Sequence, residues 1–124
     1  MVPLLALTLV LTAPRLLGVV LTPFSEDPER GMTFDGMVDE IAATGATDVS
    51  VVVQWAQHDV ASDHIAPHPK ETQDEAVIHR LLERAHARGL RVLLFPIVWV
   101  EVRGPGAWRG TLHPAHVDAW WADY

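Results

Sequence analysis

The side chains able to do chemistry are few, and they gather where apolar runs give way to polar loops. Glu101 closes the run over 91–100 and is the one acid at that point. A carboxyl that donates protons at neutral pH needs a raised pKa and, for acid–base cleavage, a partner carboxylate. No partner stands at a recognisable spacing from Glu101, so a solvated or ion-paired role is the plainer reading. His58, His64 and His68 share one loop with Asp59 and Asp63. Histidine and carboxylate are zinc ligands, but this spacing fits no firm motif, and no metal site is assigned. His113 and His116 stand three apart across a helix start and read as surface residues. Trp55 and Trp99 end or nearly end apolar runs, and Trp108 and Arg109 sit together in a loop containing Gly and Pro. Each has a structural alternative: a core or sheet-lining ring for Trp55 and Trp99, a loop brace for Trp108 and Arg109.

Composition narrows the classes. The chain has 124 residues, enough for one domain, with 49% hydrophobic residues and a formal net charge of -7. It has no basic run, so nucleic acid is excluded as a partner, because phosphate binding needs clustered Lys and Arg. It has no cysteine, which removes disulfides and thiolate metal sites. Residues 1–17 form an apolar leader that resembles the hydrophobic region of a signal peptide, without a preceding Lys or Arg. Export follows if it is one, and a cytoplasmic location otherwise. The apolar stretch is too short for a stable membrane span, which takes about 20 residues.

Three strand–helix repeats must position these groups in residues 18–124. The run over 16–24 (LLGVVLTPF) reads as a buried strand stopped by Pro23. Thr33 is placed to cap a helix whose apolar face is Phe34, Met37, Val38, Ile41 and Ala42, with Gly45 ending it. The run over 49–55 (VSVVVQW) is a second buried strand, followed by a long loop over 56–71. Thr72 and Glu75 have the spacing of a capping box, and Ile78, Leu81, Leu82 and Ala85 continue at helical spacing to Gly89. The third strand spans 91–100, with an interruption expected at Pro96 because proline removes a ladder donor. His113 and Pro114 are placed to open a third helix carrying Val117, Trp120, Trp121 and Tyr124 on one face.

This alternation predicts an α/β fold with parallel strands. The loop after the first strand (TPFSEDPERG) lacks the Gly-x-Gly-x-x-Gly fingerprint, so no dinucleotide or other cofactor is expected. A complete (β/α)₈ barrel needs roughly 250 residues. Two architectures fit, an open doubly wound sheet or a barrel segment; the second is a partial TIM barrel, its first three βα units, with the rest of the fold lying elsewhere.

Particular residues sharpen this. The stretch from Ala85 to Val92 (AHARGLRV) resembles the helix-to-strand junction of many barrel glycosidases. With Trp108-Arg109-Gly110 after the third strand, Gly18-Val19-Val20 on the first, Gly45-Ala46 before the second and Thr72 opening the second helix, the chain resembles glycoside hydrolase family 113. That is a β-mannanase-like family in the clan of retaining (β/α)₈ glycosidases. The resemblance implies a carbohydrate partner and hydrolysis of β-linked, mannan-type polysaccharide. It places the acid/base and nucleophile glutamates on barrel strands four and seven, beyond this chain, so no catalytic residue is assigned. It implies sugar contacts at Trp55, Trp99, Glu101, Trp108 and Arg109. Where the family's third strand carries a Lys-Pro-His-type run, this chain has Phe95-Pro96-Ile97. Two rival readings stand beside the enzyme fragment: a non-catalytic carbohydrate-binding remnant, and a half-barrel that self-associates.

Overall fold

A computed structural model describes residues 16–124; the leader expected over 1–17 lies almost wholly outside them. The chain runs β1 (Gly18–Leu21), α1 (Phe34–Ala43), β2 (Asp48–Gln57), β3 (Ala66–Pro67), α2 (Glu75–Ala87), β4 (Arg91–Val100) and α3 (Val117–Asp123), with single 3₁₀ turns at Pro28–Arg30 and Arg109–Thr111. β2 is central. β1 pairs with it in parallel from Gly18↔Asp48, and β4 pairs in parallel along its whole length, from Asp48↔Arg91 to Gln57↔Val100. The expected βα alternation is present. The two residues of β3, which the sequence reading left in a loop, add an antiparallel pair at the C-terminal end of β2.

The two sheet faces differ. Leu21, Val49 and Val51 face α1 and α2 and form one core with Phe34, Val38, Ile41, Leu81, Ala85 and Leu90. Burial of each large aliphatic group there contributes about 1.5–3 kcal/mol. On the opposite face, Val20 and Leu93 are 62% and 64% exposed. In a closed barrel that face is the interior. A second, smaller core of Ile65, Val98 and Trp120 holds α3.

The helix signals succeed where the backbone alone decides. Thr33 Oγ1 accepts the Gly36 N–H at 3.0 Å and opens α1. Gly45 and Gly89 end α1 and α2 with φ of 82° and 75°, the left-handed region that glycine alone enters freely. Charge then clamps the two helices. Asp39 on α1 takes Arg84 Nε at 2.7 Å and Arg88 Nε at 2.8 Å from α2. Those guanidiniums hold the Asp39 carboxyl down at about 2.

Three local expectations are corrected. Thr72 does not cap α2, which begins at Glu75 with Asp74 before it. The Thr72 hydroxyl instead donates to the Gln54 carbonyl and accepts the His68 N–H, stitching the long loop to β2. Pro96 does not interrupt β4. The N–H groups of Arg91 and Glu101 donate to Thr47 and Gln57 carbonyls, so odd-numbered residues of β4 bond to β2. Pro96 has the other parity, and its missing donor falls on the edge away from β2, where no described strand pairs. His113 and Pro114 do not open α3. The helix starts at Val117, because Asp63 captures both the His116 N–H and its ring Nδ1 at 2.6 Å and holds the chain just before it. Of the expected apolar face only Trp120 is buried, while Val117, Trp121 and Tyr124 stay exposed.

Candidate functional site at the C-terminal end of the sheet

The C-terminal ends of β1, β2 and β4 surround an open concavity of about 560 Å³ on the face away from α1 and α2. The parallel register builds it. Val52 lies beside Phe95, Gln54 beside Ile97 and Ala56 beside Trp99, so these side chains share one face. Phe95, Ile97 and Trp99 make an apolar wall from β4, and Gln54 is the polar group of the β2 wall. Gln54 is 8% exposed.

The loop after β4 supplies the rest. Arg103 lies over the Trp99 ring, 4.1 Å from its centre, a cation–π contact that orients both groups. Its Nε donates to the Val100 carbonyl at 3.3 Å. Trp108 and Arg109 also line the concavity. The Trp108 indole is folded back over Gly110, where an added Cβ would fall 2.3 Å from two ring carbons. Glycine is therefore required after Trp108-Arg109 for the ring to sit there. Thr111 Oγ1 locks the turn, accepting the Trp108 N–H at 3.1 Å and donating to its carbonyl at 2.8 Å.

Trp99, Trp108 and Arg109 are thus brought together. Trp55 and Glu101 do not line this space. Trp55 has the parity of Val49 and Val51 and packs against the Ile65, Val98 and Trp120 core. Glu101 sits beyond the strand, with Oε2 3.6 Å from His58 Nδ1 and Oε1 3.8 Å from His68 Nε2. His68 Nδ1 accepts the N–H groups of Lys70 and Glu71 at 3.2 and 3.1 Å, so in the neutral ring the proton is on Nε2, facing Glu101.

His64 and His116 have carboxylates of their own. His64 Nδ1 meets Asp123 Oδ2 at 2.8 Å, and His116 meets Asp63. Asp59 is held below the usual carboxylate range by the Ala61 N–H and then the Ser62 hydroxyl of its own turn. Asp63 is lowered by the His116 side chain first and its backbone N–H second, and His116 is raised in return. Among the described residues no three His, Asp or Glu side chains form a set that could hold a metal ion.

The arginines sort by position. Arg30, Arg80, Arg84, Arg88 and Arg91 each rest on a carboxylate, with Arg91 on Asp48 at 2.8 Å at the opposite end of the sheet. Arg103 and Arg109, the two that line the concavity, make no ion pair among the described residues.

Sequence reasoning missed Gln54 and Arg103. A polar residue inside the apolar run VSVVVQW, and an arginine four residues after Trp99, were the available signals.

Parallel strands, helices on one face and a cleft at the strands' C-terminal ends define a segment of a (β/α) barrel. Solved structures on whose barrels it superposes include GH113 β-mannanases. A GH113 β-1,4-mannanase solved as a complex superposes with a TM-score of 0.68 at 17% identity, over 88% of this chain and 38% of that one. The GH113 β-mannanase AaManA from Alicyclobacillus acidocaldarius, solved in complex with ManMIm, gives 0.69 at 23% identity, over 86% and 36%. A further GH113 β-1,4-mannanase structure gives 0.68 at 19%, over 87% and 37%. The chain therefore spans little more than a third of the length of the structures it matches. At these identities the likeness is one of fold. No family model matches the chain, and no curated protein matches it by sequence.

Proposed function

We propose that this chain forms the first three strand–helix units of a glycosidase barrel of mannanase type, and that its cleft binds β-linked polysaccharide. The observation that carries the reading is the concavity at the C-terminal ends of the strands, where barrel active sites lie. Trp99 and Trp108 offer flat apolar rings to sugar faces, and Arg109 offers donors to hydroxyls. Glu101 is a rim contact, while Trp55 supports the cleft from behind. Retaining hydrolysis needs two carboxylates about 5 Å apart across the scissile bond. Among the residues lining the cleft, Glu71 is the one acid. The segment's part is then the cleft wall, with the catalytic glutamates on barrel strands four and seven.

The 124-residue chain is expected to bind mannan oligosaccharides weakly, with a change in tryptophan fluorescence, and to lose that binding in Trp99→Ala. It is expected to release no reducing sugar. Turnover by the chain alone, or no binding across a panel of β-linked oligosaccharides, overturns the proposal. The apolar Phe95 and Ile97 in the cleft favour a second reading, in which the complete barrel binds sugar without cleaving it.

A further inference from the structure

We infer that the cleft takes an acidic β-linked oligosaccharide, one whose sugar rings carry a carboxylate, in preference to a neutral one. The inference rests on the cleft being a carbohydrate site and names the class of sugar. Its basis is the distribution of arginines. In a chain of formal net charge -7, every other described arginine rests on a carboxylate, while Arg103 and Arg109 face the concavity with none. Glu71, the acid of the same lining, makes an ion pair with neither, so among the described lining residues two cations stand beside one acid.

Arg103 is held in place. Its plane lies on Trp99 and its Nε is spent on the Val100 carbonyl, which leaves its terminal nitrogens without an acceptor among the described residues. A planar guanidinium with free terminal donors is matched by a carboxylate in a two-point contact. Beside it, Gln54 lines the same concavity and is 8% exposed. An amide carries both donors and an acceptor, and it suits a ligand that does the same. Sugar hydroxyls have that dual character, and the Phe95–Trp99 wall covers the apolar C–H faces of the ring. The ligand drawn by these groups has a flat apolar face, hydroxyls and a carboxylate: a polymer of uronic acid residues.

The test is calorimetric titration of the full 124-residue chain with two oligomers of equal length: β-1,4-linked mannuronate and neutral β-1,4-linked mannose. The acidic oligomer should bind about tenfold more tightly at low salt, the scale of one charge-assisted hydrogen-bond pair, and the advantage should shrink as salt is added. Arg103→Gln should remove the difference between the oligomers. Arg91→Gln changes the net charge equally, but its partner is Asp48 at the far end of the sheet, and it should leave both affinities alone. Equal affinity for the two oligomers, or the same loss in Arg91→Gln, overturns this inference while leaving the carbohydrate reading intact. Failure of both oligomers to bind removes the carbohydrate reading itself.

Discussion

A buried hydrogen bond ties helix α3 to the end of β2, alongside the apolar core around Trp120 and the His64–Asp123 contact, and breaking it gives a quantitative check on the packing. Gln57, at the end of β2, is 2% exposed; its Oε1 accepts the indole N–H of Trp120 at 2.8 Å, and its Nε2 donates to the Asp59 carbonyl. Trp120 is itself 9% exposed. In Gln57→Leu the side-chain volume is nearly kept, but the indole N–H is left buried without an acceptor, which costs about 1–3 kcal/mol. In Trp120→Phe the donor disappears and Gln57 loses its partner, with a similar cost of about 1–3 kcal/mol including the lost ring area. The double variant removes both halves of the contact, so its loss should be less than the sum of the single losses by about 1 kcal/mol. Urea unfolding followed by circular dichroism reads all four species. With total stabilities of about 5–15 kcal/mol for domains of this size, such losses are measurable. Losses that add to within about 0.3 kcal/mol show that the pair does not interact and refute the account of how α3 is held.

Two further outcomes follow from the loops. The His116–Asp63 pair should give stability a plateau. His116 is raised from 6.5, so its contribution is complete below that value and fades as pH climbs through its raised folded pKa. Asp63 is lowered from 3.8, so its contribution is complete above that value and fades as pH falls through its lowered folded pKa. Thermal melts across pH should show both shoulders in the parent chain and lose the alkaline one in His116→Gln; an unchanged alkaline limb would count against the pair. Gly110→Ala should swing the Trp108 indole out of the cleft, because the new methyl falls 2.3 Å from ring carbons. Its indole N–H resonance should move and oligosaccharide binding should weaken severalfold, about 1 kcal/mol for one displaced ring, with the melting temperature nearly unaltered. An unmoved resonance would show that the ring is not where Gly110 places it.

Much of the fold was legible because it rests on short-range rules. Apolar runs gave the strands, a threonine cap opened α1, and two glycines closed α1 and α2 at φ values few other residues tolerate. The errors lie where a distant partner outbids a local one. Thr72 has cap chemistry and cap spacing, yet its hydroxyl serves the Gln54 carbonyl eighteen residues upstream. The start of α3 is displaced to Val117 by Asp63, fifty-three residues away. Of the cleft, Trp99, Trp108 and Arg109 were readable from their place after the third strand. Gln54 was not, because only the register of β2 against β4 shows that it shares a face with Ile97 and the wall toward Trp99. Trp55 follows Gln54 directly and falls on the opposite face for the same reason.

In the barrel proposed above, the outward edge of β4, unpaired among the described residues, is where the next strand pairs. Pro96 stands in the middle of it, at a parity that presents a ring instead of a donor. A strand that pairs there meets a gap halfway along, because proline has no N–H to give it. One residue that costs β4 nothing on its β2 side therefore leaves one acceptor of the next strand without a backbone donor. Replacing it with valine would restore that hydrogen bond and leave the pairing with β2 as it is.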